Sequence, residues 1–155
     1  MQDKKIIDDF FDNNTNQELV FDVKKDSTLT VALNIKAKNN QKIYNIIFNH
    51  KENSSVFIKV NCLTFIKGEI VVNITNNVPK NTPHCCVSQK IIGVLTTKNS
   101  SIKATPIMNV YNNQVNAEHE VNVGYLNKEE IFYLMSKGVK KSKATKILID
   151  NLFAI

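Results

Sequence analysis

The sequence predicts a mainly β fold that closes with two short helices. Three observations carry this expectation. From Leu19 to Val78 apolar and polar residues alternate with a period of two, in runs rich in Val, Ile, Thr and Phe. Polar turns such as Lys38-Asn39-Asn40-Gln41 and Lys51-Glu52-Asn53-Ser54-Ser55 separate the runs, which recur about every ten residues. From Asn127 onward the period becomes that of a helix. Regular strands with polar turns fit a sandwich, a barrel or a solenoid. Hairpin-based folds favour Asn-Gly or Asp-Gly turns, and this chain has neither dipeptide and only 4 glycines. Asn tolerates the left-handed region, and stacked Asn side chains can hydrogen-bond from rung to rung at solenoid corners. The balance tilts toward a parallel β-helix.

Taken in order, residues 1–17 predict a short N-terminal helix or arm. Ile6-Ile7 and Phe10-Phe11 stand at helical spacing, and Asn13-Asn14-Thr15-Asn16 ends the segment. Residues 18–126 are expected to form the β-helix. Within it Leu29, Val31, Leu33 and Ile35 alternate with Thr28, Thr30, Asn34 and Lys36. Similar runs follow at 43–48, 56–60, 63–66 and 70–74, with further β material at 91–97 and 106–111. Residues 127–155 form the expected helical domain. Asn127 with Glu130 reads as a capping box, Ile131, Leu134 and Met135 as a buried stripe, and Gly138 as the helix stop. Ser142 is expected to cap a second helix whose apolar face carries Ala144, Ile147, Leu148 and Leu152.

A chain of 155 residues with 43% hydrophobic and 22% charged residues has a globular composition. Its length fits one domain with a small appendage. The net charge of +6 accompanies abundant Lys and Asn and no Trp, a pattern that an AT-rich genome produces on neutral surface positions. Basicity here is therefore a weak sign of a nucleic-acid partner. Three cysteines, two of them adjacent, do not make a disulfide framework. The N-terminus lacks the apolar core of a signal peptide, and no apolar run approaches the roughly 20 residues that span a bilayer. A reducing cytoplasm is the economical expectation, with no membrane partner.

The segment Asn116-Ala117-Glu118-His119-Glu120, then Gly124-Tyr125-Leu126, then Ile131-Phe132-Tyr133-Leu134-Met135-Ser136-Lys137-Gly138 carries a more specific signal. An Ala-x-His turn, Gly-x-Leu, an acidic helix start and Phe-Tyr-Leu-x-Ser-Lys-Gly resemble the C-terminal signature of the SufB/SufD family. Val87–Leu95 is similar to that family's Gln-x-x-x-x-Leu strand, and Lys103–Val110 to its Ala-x-Pro-x-Leu-x-Ile element. Ile147–Phe153 is similar to its closing Leu-Leu-x-x-Gly-Phe, with Asn151 where Gly usually stands. The likeness covers residues 86–153; upstream the chain agrees only in kind. It implies a right-handed parallel β-helix with a small helical tail, in a scaffold for iron–sulfur cluster assembly. Family members are longer, so the chain is expected to be a minimal homologue or a split gene product carrying the final coils.

The resemblance also implies roles. His119 would lie near the subunit interface where a cluster assembles, with Glu120 as a second interface or ligand candidate. Imidazole is a competent iron ligand, so His119 is the metal candidate, and the cluster would be transient and present only in complex. The tail would dock a SufC-type ATPase through Phe132, Tyr133, Ser136, Lys137 and Gly138. A SufB-type subunit or a second copy would pair with an end of the β-helix. Glu118-His119-Glu120 is the more SufB-like form of its turn, but where SufB carries a cysteine before the Ala/His-x-Pro element this chain has Ser100-Ser101, which with Pro106-Ile107-Met108 and Gly124-Tyr125-Leu126 makes it more SufD-like.

Other features have plainer readings. His84-Cys85-Cys86 lacks metal-ligand spacing, and successive strand residues point to opposite faces. Cys62 sits in an apolar run and reads as core. Lys137, Lys140, Lys141, Lys143 and Lys146 lack interleaved aromatics, so they read as a solvated helical face. No nucleophile elbow, phosphate loop or metalloprotease motif occurs, and no enzymatic activity is expected. Two alternatives remain: a basic β-rich nucleic-acid-binding module, which salt would release steeply, and a structural solenoid without a metal role.

Overall fold

A computed structural model describes residues 2–10 and 13–153. Nine strands precede two helices: β1 (Gln2–Phe10), β2 (Thr15–Asp22), β3 (Thr28–Ala37), β4 (Gln41–Asn49), β5 (Ser55–Thr64), β6 (Glu69–Val78), β7 (Cys85–Leu95), β8 (Ser101–Val110), β9 (Val115–Tyr125), α1 (Lys128–Ser136) and α2 (Lys141–Leu152). Odd strands form one sheet in the order β1-β3-β5-β7-β9, and even strands form a second, β2-β4-β6-β8. Every neighbouring pair is parallel. The chain therefore winds as a two-sided solenoid of about 4 turns, each turn adding one strand to each sheet.

The core lies between the two sheets. Leu33, Val60 and Ile91 stack in one inward row of the odd sheet, facing Ile46 and Ile74 of the even sheet, and all five are essentially inaccessible to solvent. Such inward rows explain the period-two pattern: a one-residue slip would turn each row out to water. Outward positions carry side-chain ladders. Asn109 donates to Asn77 at 2.9 Å, Asn77 to Asn49 at 3.0 Å, and Asn49 to Asp22 at 3.0 Å. Asn73 likewise donates to Asn45 at 2.8 Å. The expected rung-to-rung Asn bonding is present, mostly along strands.

Corners take their left-handed residues from a wider set than Asn alone. Asp26, Asn53, Ile66 and His84 all have φ between 54° and 59°. At two successive corners Asn53 donates to Asp26 at 2.7 Å. Ile66 is the costly member, because a β-branched side chain is crowded at positive φ. The same corner needs Gly68, where a Cβ would lie 2.4 Å from the Ala37 carbonyl oxygen.

The helix expected within residues 1–17 is instead strand β1, with β2 starting at Thr15. Ile6, Ile7 and Phe10 have helical spacing, but an isolated segment this short gains little from helix formation alone. Parallel pairing with β3 satisfies one edge of its backbone, and Ile7 packs against the core. Phe11 lies outside the described residues.

At α1, Asn127 caps as expected by accepting from the Glu129 N–H at 2.9 Å. Glu130 accepts from the Asn127 side-chain amide at 3.4 Å, so the box does not close through the Asn127 backbone. The helix ends with the Val139 N–H on the Leu134 carbonyl and the Gly138 N–H on the Met135 carbonyl. Gly138 has φ 84°, which completes a Schellman stop. Two expectations fail. Ser142 is not a cap: α2 begins after Lys140, with no side-chain cap bond. The α1 stripe is not buried either; Ile131 and Leu134 are half-buried and Met135 is exposed.

The tail lies against the outer face of the odd sheet. Asn61 and Leu63 point outward from β5 yet are fully buried, as is Ala144 of α2. Just beyond α2, the Phe153 ring meets Phe10 of β1 edge-on at 6.4 Å, with Lys36 of β3 over both rings. Among the described residues no helix is long and apolar enough to cross a membrane.

The interior also holds one buried polar chain. His50 Nε2–H donates to Asn76 Oδ1 at 2.9 Å, and Nδ1 accepts from Ser54 Oγ at 2.9 Å. Burial lowers the His50 pKa, only partly offset by the Asn76 bond. The folded protein thus binds fewer protons here than the unfolded chain. This stability is complete above the unfolded value near 6.5 and is lost as pH falls below it. Unfolding free energies from urea titrations at pH 7.5 and pH 5 should fall in acid, by up to about 1.4 kcal/mol per pH unit. A His50→Gln protein should lose that part of the slope.

Candidate functional site: the open end of the solenoid and the helical groove

The two ends of the solenoid differ in chemistry. At the N-terminal end the inward positions are mixed: Asp3, Lys5, Asp9, Thr15 and Gln17 share the two inward rows with Ile7, Leu19 and Phe21. Lys42 Nζ donates to Asp9 Oδ1 and, at 3.1 Å, to Thr15 Oγ1. Tyr44 Oη and Thr15 Oγ1 donate to Asp9 Oδ2 at 2.7 and 2.9 Å. Burial alone would raise the Asp9 carboxyl, but these hydrogen bonds outweigh it and hold the group below the ordinary carboxylate value. Charges turned into a solenoid end block end-to-end association.

At the C-terminal end the inward row is mostly apolar. Strand β9 pairs with β7 alone, and its other edge has no partner among the described residues; β8 likewise ends the even sheet. Inward positions of β9 carry Ala117, His119, Val121 and Val123, opposite Pro106 and Met108 on β8. Val121 and Val123 remain 40% and 37% exposed, whereas their lower neighbours Ile91 and Gly93 are buried.

His119 stands in the inward row directly above Gln89, which is 1% exposed. Gln89 Nε2 donates to the Ile107 carbonyl at 3.4 Å, and its Oε1 has no partner. Glu120, one residue on, projects to the outer face and pairs with Lys90 at 2.8 Å. His119 and Glu120 therefore do not converge on one ion, as strand alternation dictates. Among the described residues no three His, Cys, Asp or Glu side chains gather as a metal site.

The cysteines do not join His119. Cys62 is core, its thiol pushed up by burial to about 12. Cys85 is buried, 3.7 Å from Ser54 Oγ. Cys86 faces outward, and burial, with the Glu118 charge and Cys85 adding, raises its pKa. Ser100, where SufB proteins would carry cysteine, accepts from Thr64 Oγ1 and donates to the Thr97 carbonyl, both at 2.9 Å. Its hydroxyl is committed to a corner.

On α1, Phe132 and Tyr133 are 65% and 63% exposed. Lys137 Nζ lies 5.6 Å from the Tyr133 ring centroid. Ser136 and Gly138 serve the helix end instead, Ser136 Oγ donating to the Tyr133 carbonyl at 2.7 Å. Beside them a groove of about 790 Å³ opens between the helices and the solenoid corners. Phe65, Leu95 and Tyr125 form its solenoid side, and Ile131, Phe132 and Met135 its α1 side. Sequence reading missed Phe65, Leu95 and Tyr125 as groove residues, because no local pattern links corners about 30 residues apart.

The family described as SUF system FeS cluster assembly, SufBD core domain, matches residues 89–152. These residues run from β7 through α2. The C-terminal part of the chain thus matches the core domain of the SufB/SufD family. An iron–sulfur cluster assembly SufBD family protein of Staphylococcus aureus strain USA300 is 36% identical over 50 residues. A SufBD family protein of Staphylococcus saprophyticus is 34% identical over 50 residues. Each alignment covers 32% of this chain and 11% of the relative. The SufBD core match thus includes His119, the open end and the exposed face of α1.

Proposed function

We propose that this chain is a SufD-like scaffold subunit of a cytoplasmic iron–sulfur cluster assembly complex, with no enzymatic activity of its own. A SufC-type ATPase docks on the C-terminal helices through Phe132, Tyr133 and Lys137, while Ser136 and Gly138 hold the helix end that presents them. A SufB-type subunit, or a second copy, covers the open C-terminal end. The contrast in inward chemistry between the two solenoid ends carries this reading: both leave strand edges, but one sets the Asp9–Lys42 pair among its inward residues and the other leaves a mostly apolar row to be covered. The cluster is cargo. His119 supplies one ligand at the junction, and the remaining ligands come from the partner, so the cluster is held transiently and only in complex. Glu120 belongs to the outer rim of the same interface. The committed Ser100 hydroxyl supports the SufD-like side of the family over the SufB-like side, since hydroxyls are poor iron ligands beside thiolates. Copurification of the tagged chain with an active SufC-type ATPase and a SufB-type subunit tests the assignment. Repeated failure to retain the ATPase would remove it.

A further inference from the structure

The groove beside α1 has a charge pattern that the docking surface above does not use. Three exposed lysines stand at its walls: Lys98 from the corner after β7, Lys128 at the start of α1 and Lys141 at the start of α2. No Asp or Glu among the described residues lines it. Both helices begin at this groove; Glu129 and Glu130 offset the dipole at the start of α1, whereas α2 has no acidic residue in its first turn, so its positive end adds to the lysines. Between the lysines lies an apolar floor that includes Leu95, Ile131, Phe132 and Met135.

We propose that this groove receives an acidic, apolar-faced peptide segment of the ATPase partner, the apolar side on the floor and carboxylates against Lys98, Lys128 and Lys141. The inference rests on the ATPase-docking reading above and adds where the contact centres and what chemistry it uses. Charge complementarity and an apolar floor select this occupant over nucleic acid, whose phosphates would not cover Ile131 and Met135. It also places Phe132 at the centre of the contact, with Tyr133 and Lys137 at its rim.

The test compares binding of the SufC-type ATPase to the wild-type chain, to a Lys98→Glu/Lys128→Glu/Lys141→Glu variant and to a Lys137→Glu variant, at two salt concentrations. All four lysines are exposed, and glutamate at the first residue of a helix is favourable to the dipole, so thermal melting should be unchanged. The triple variant should bind at least about tenfold more weakly, with a flattened salt dependence, and Lys137→Glu should have the smaller effect. If the wild type binds and the triple variant binds equally well, the groove assignment falls while the docking reading stands. If the wild type does not bind the ATPase at all, both fall together.

Discussion

Replacing Asp9 with Ala is expected to lower stability by about 3 kcal/mol, because it strands a buried lysine. The Lys42 side chain is 1% exposed, and the Asp9 carboxylate is its countercharge. Tyr44 Oη loses its acceptor as well. For a chain of this length the loss corresponds to a drop in melting temperature on the order of 10 °C. An Asp9→Leu/Lys42→Met double variant should recover most of it, since replacing both members of a buried pair by apolar groups is often neutral. The carboxyl is held below its unfolded value, so its contribution is complete above that value and is lost as pH falls through the folded one. Melts of the two variants and the wild type, at pH 7 and again in acid, check both statements.

The second large effect is on association rather than folding. Phe132→Ala should weaken ATPase binding about 30-fold or more, the scale of an aromatic hot spot, while circular dichroism and melting stay close to wild type. A buried aromatic would cost about 3–5 kcal/mol on truncation, but Phe132 is 65% exposed and supports little of the fold. Tyr133→Ala should act in the same direction with a smaller loss. Equal affinities for the wild type and both variants, measured by titration calorimetry, would move the docking surface off α1.

The sequence was most legible where one local rule decided the outcome. Alternation marked β3 through β6 because their inward rows are continuous and any slip exposes them. Gly138 announced the end of α1 because few other residues accept its φ. The lack of Asn-Gly and Asp-Gly turns pointed away from hairpins, and every strand pair is parallel. Legibility failed where distant residues decide. Residues 2–10 carry a helical spacing that pairing with β3 overrides. Ser142 looked like a cap, but the N-cap of α2 is Lys140, two residues earlier. His119 and Glu120 looked like a pair as neighbours in sequence, yet the pleat sends them to opposite faces. The groove is assembled from corners and helices that meet only in the folded solenoid.

If a cluster is built at the open C-terminal end as proposed, His119 is this chain's ligand to it. The other inward residues of β9 are Val115, Ala117, Val121, Val123 and Tyr125. Of these only Tyr125 can also ligate iron, as a phenolate, and it stands six residues along the strand from His119, at the groove beside α1. Anaerobic reconstitution with iron and sulfide, followed by visible absorption, should therefore be run on the copurified complex containing either wild-type chain or His119→Ala. Both chains should assemble equally with their partners, and only the wild-type complex should build the chromophore at the full rate. A His119→Ala complex that builds it at the wild-type rate would contradict the claim.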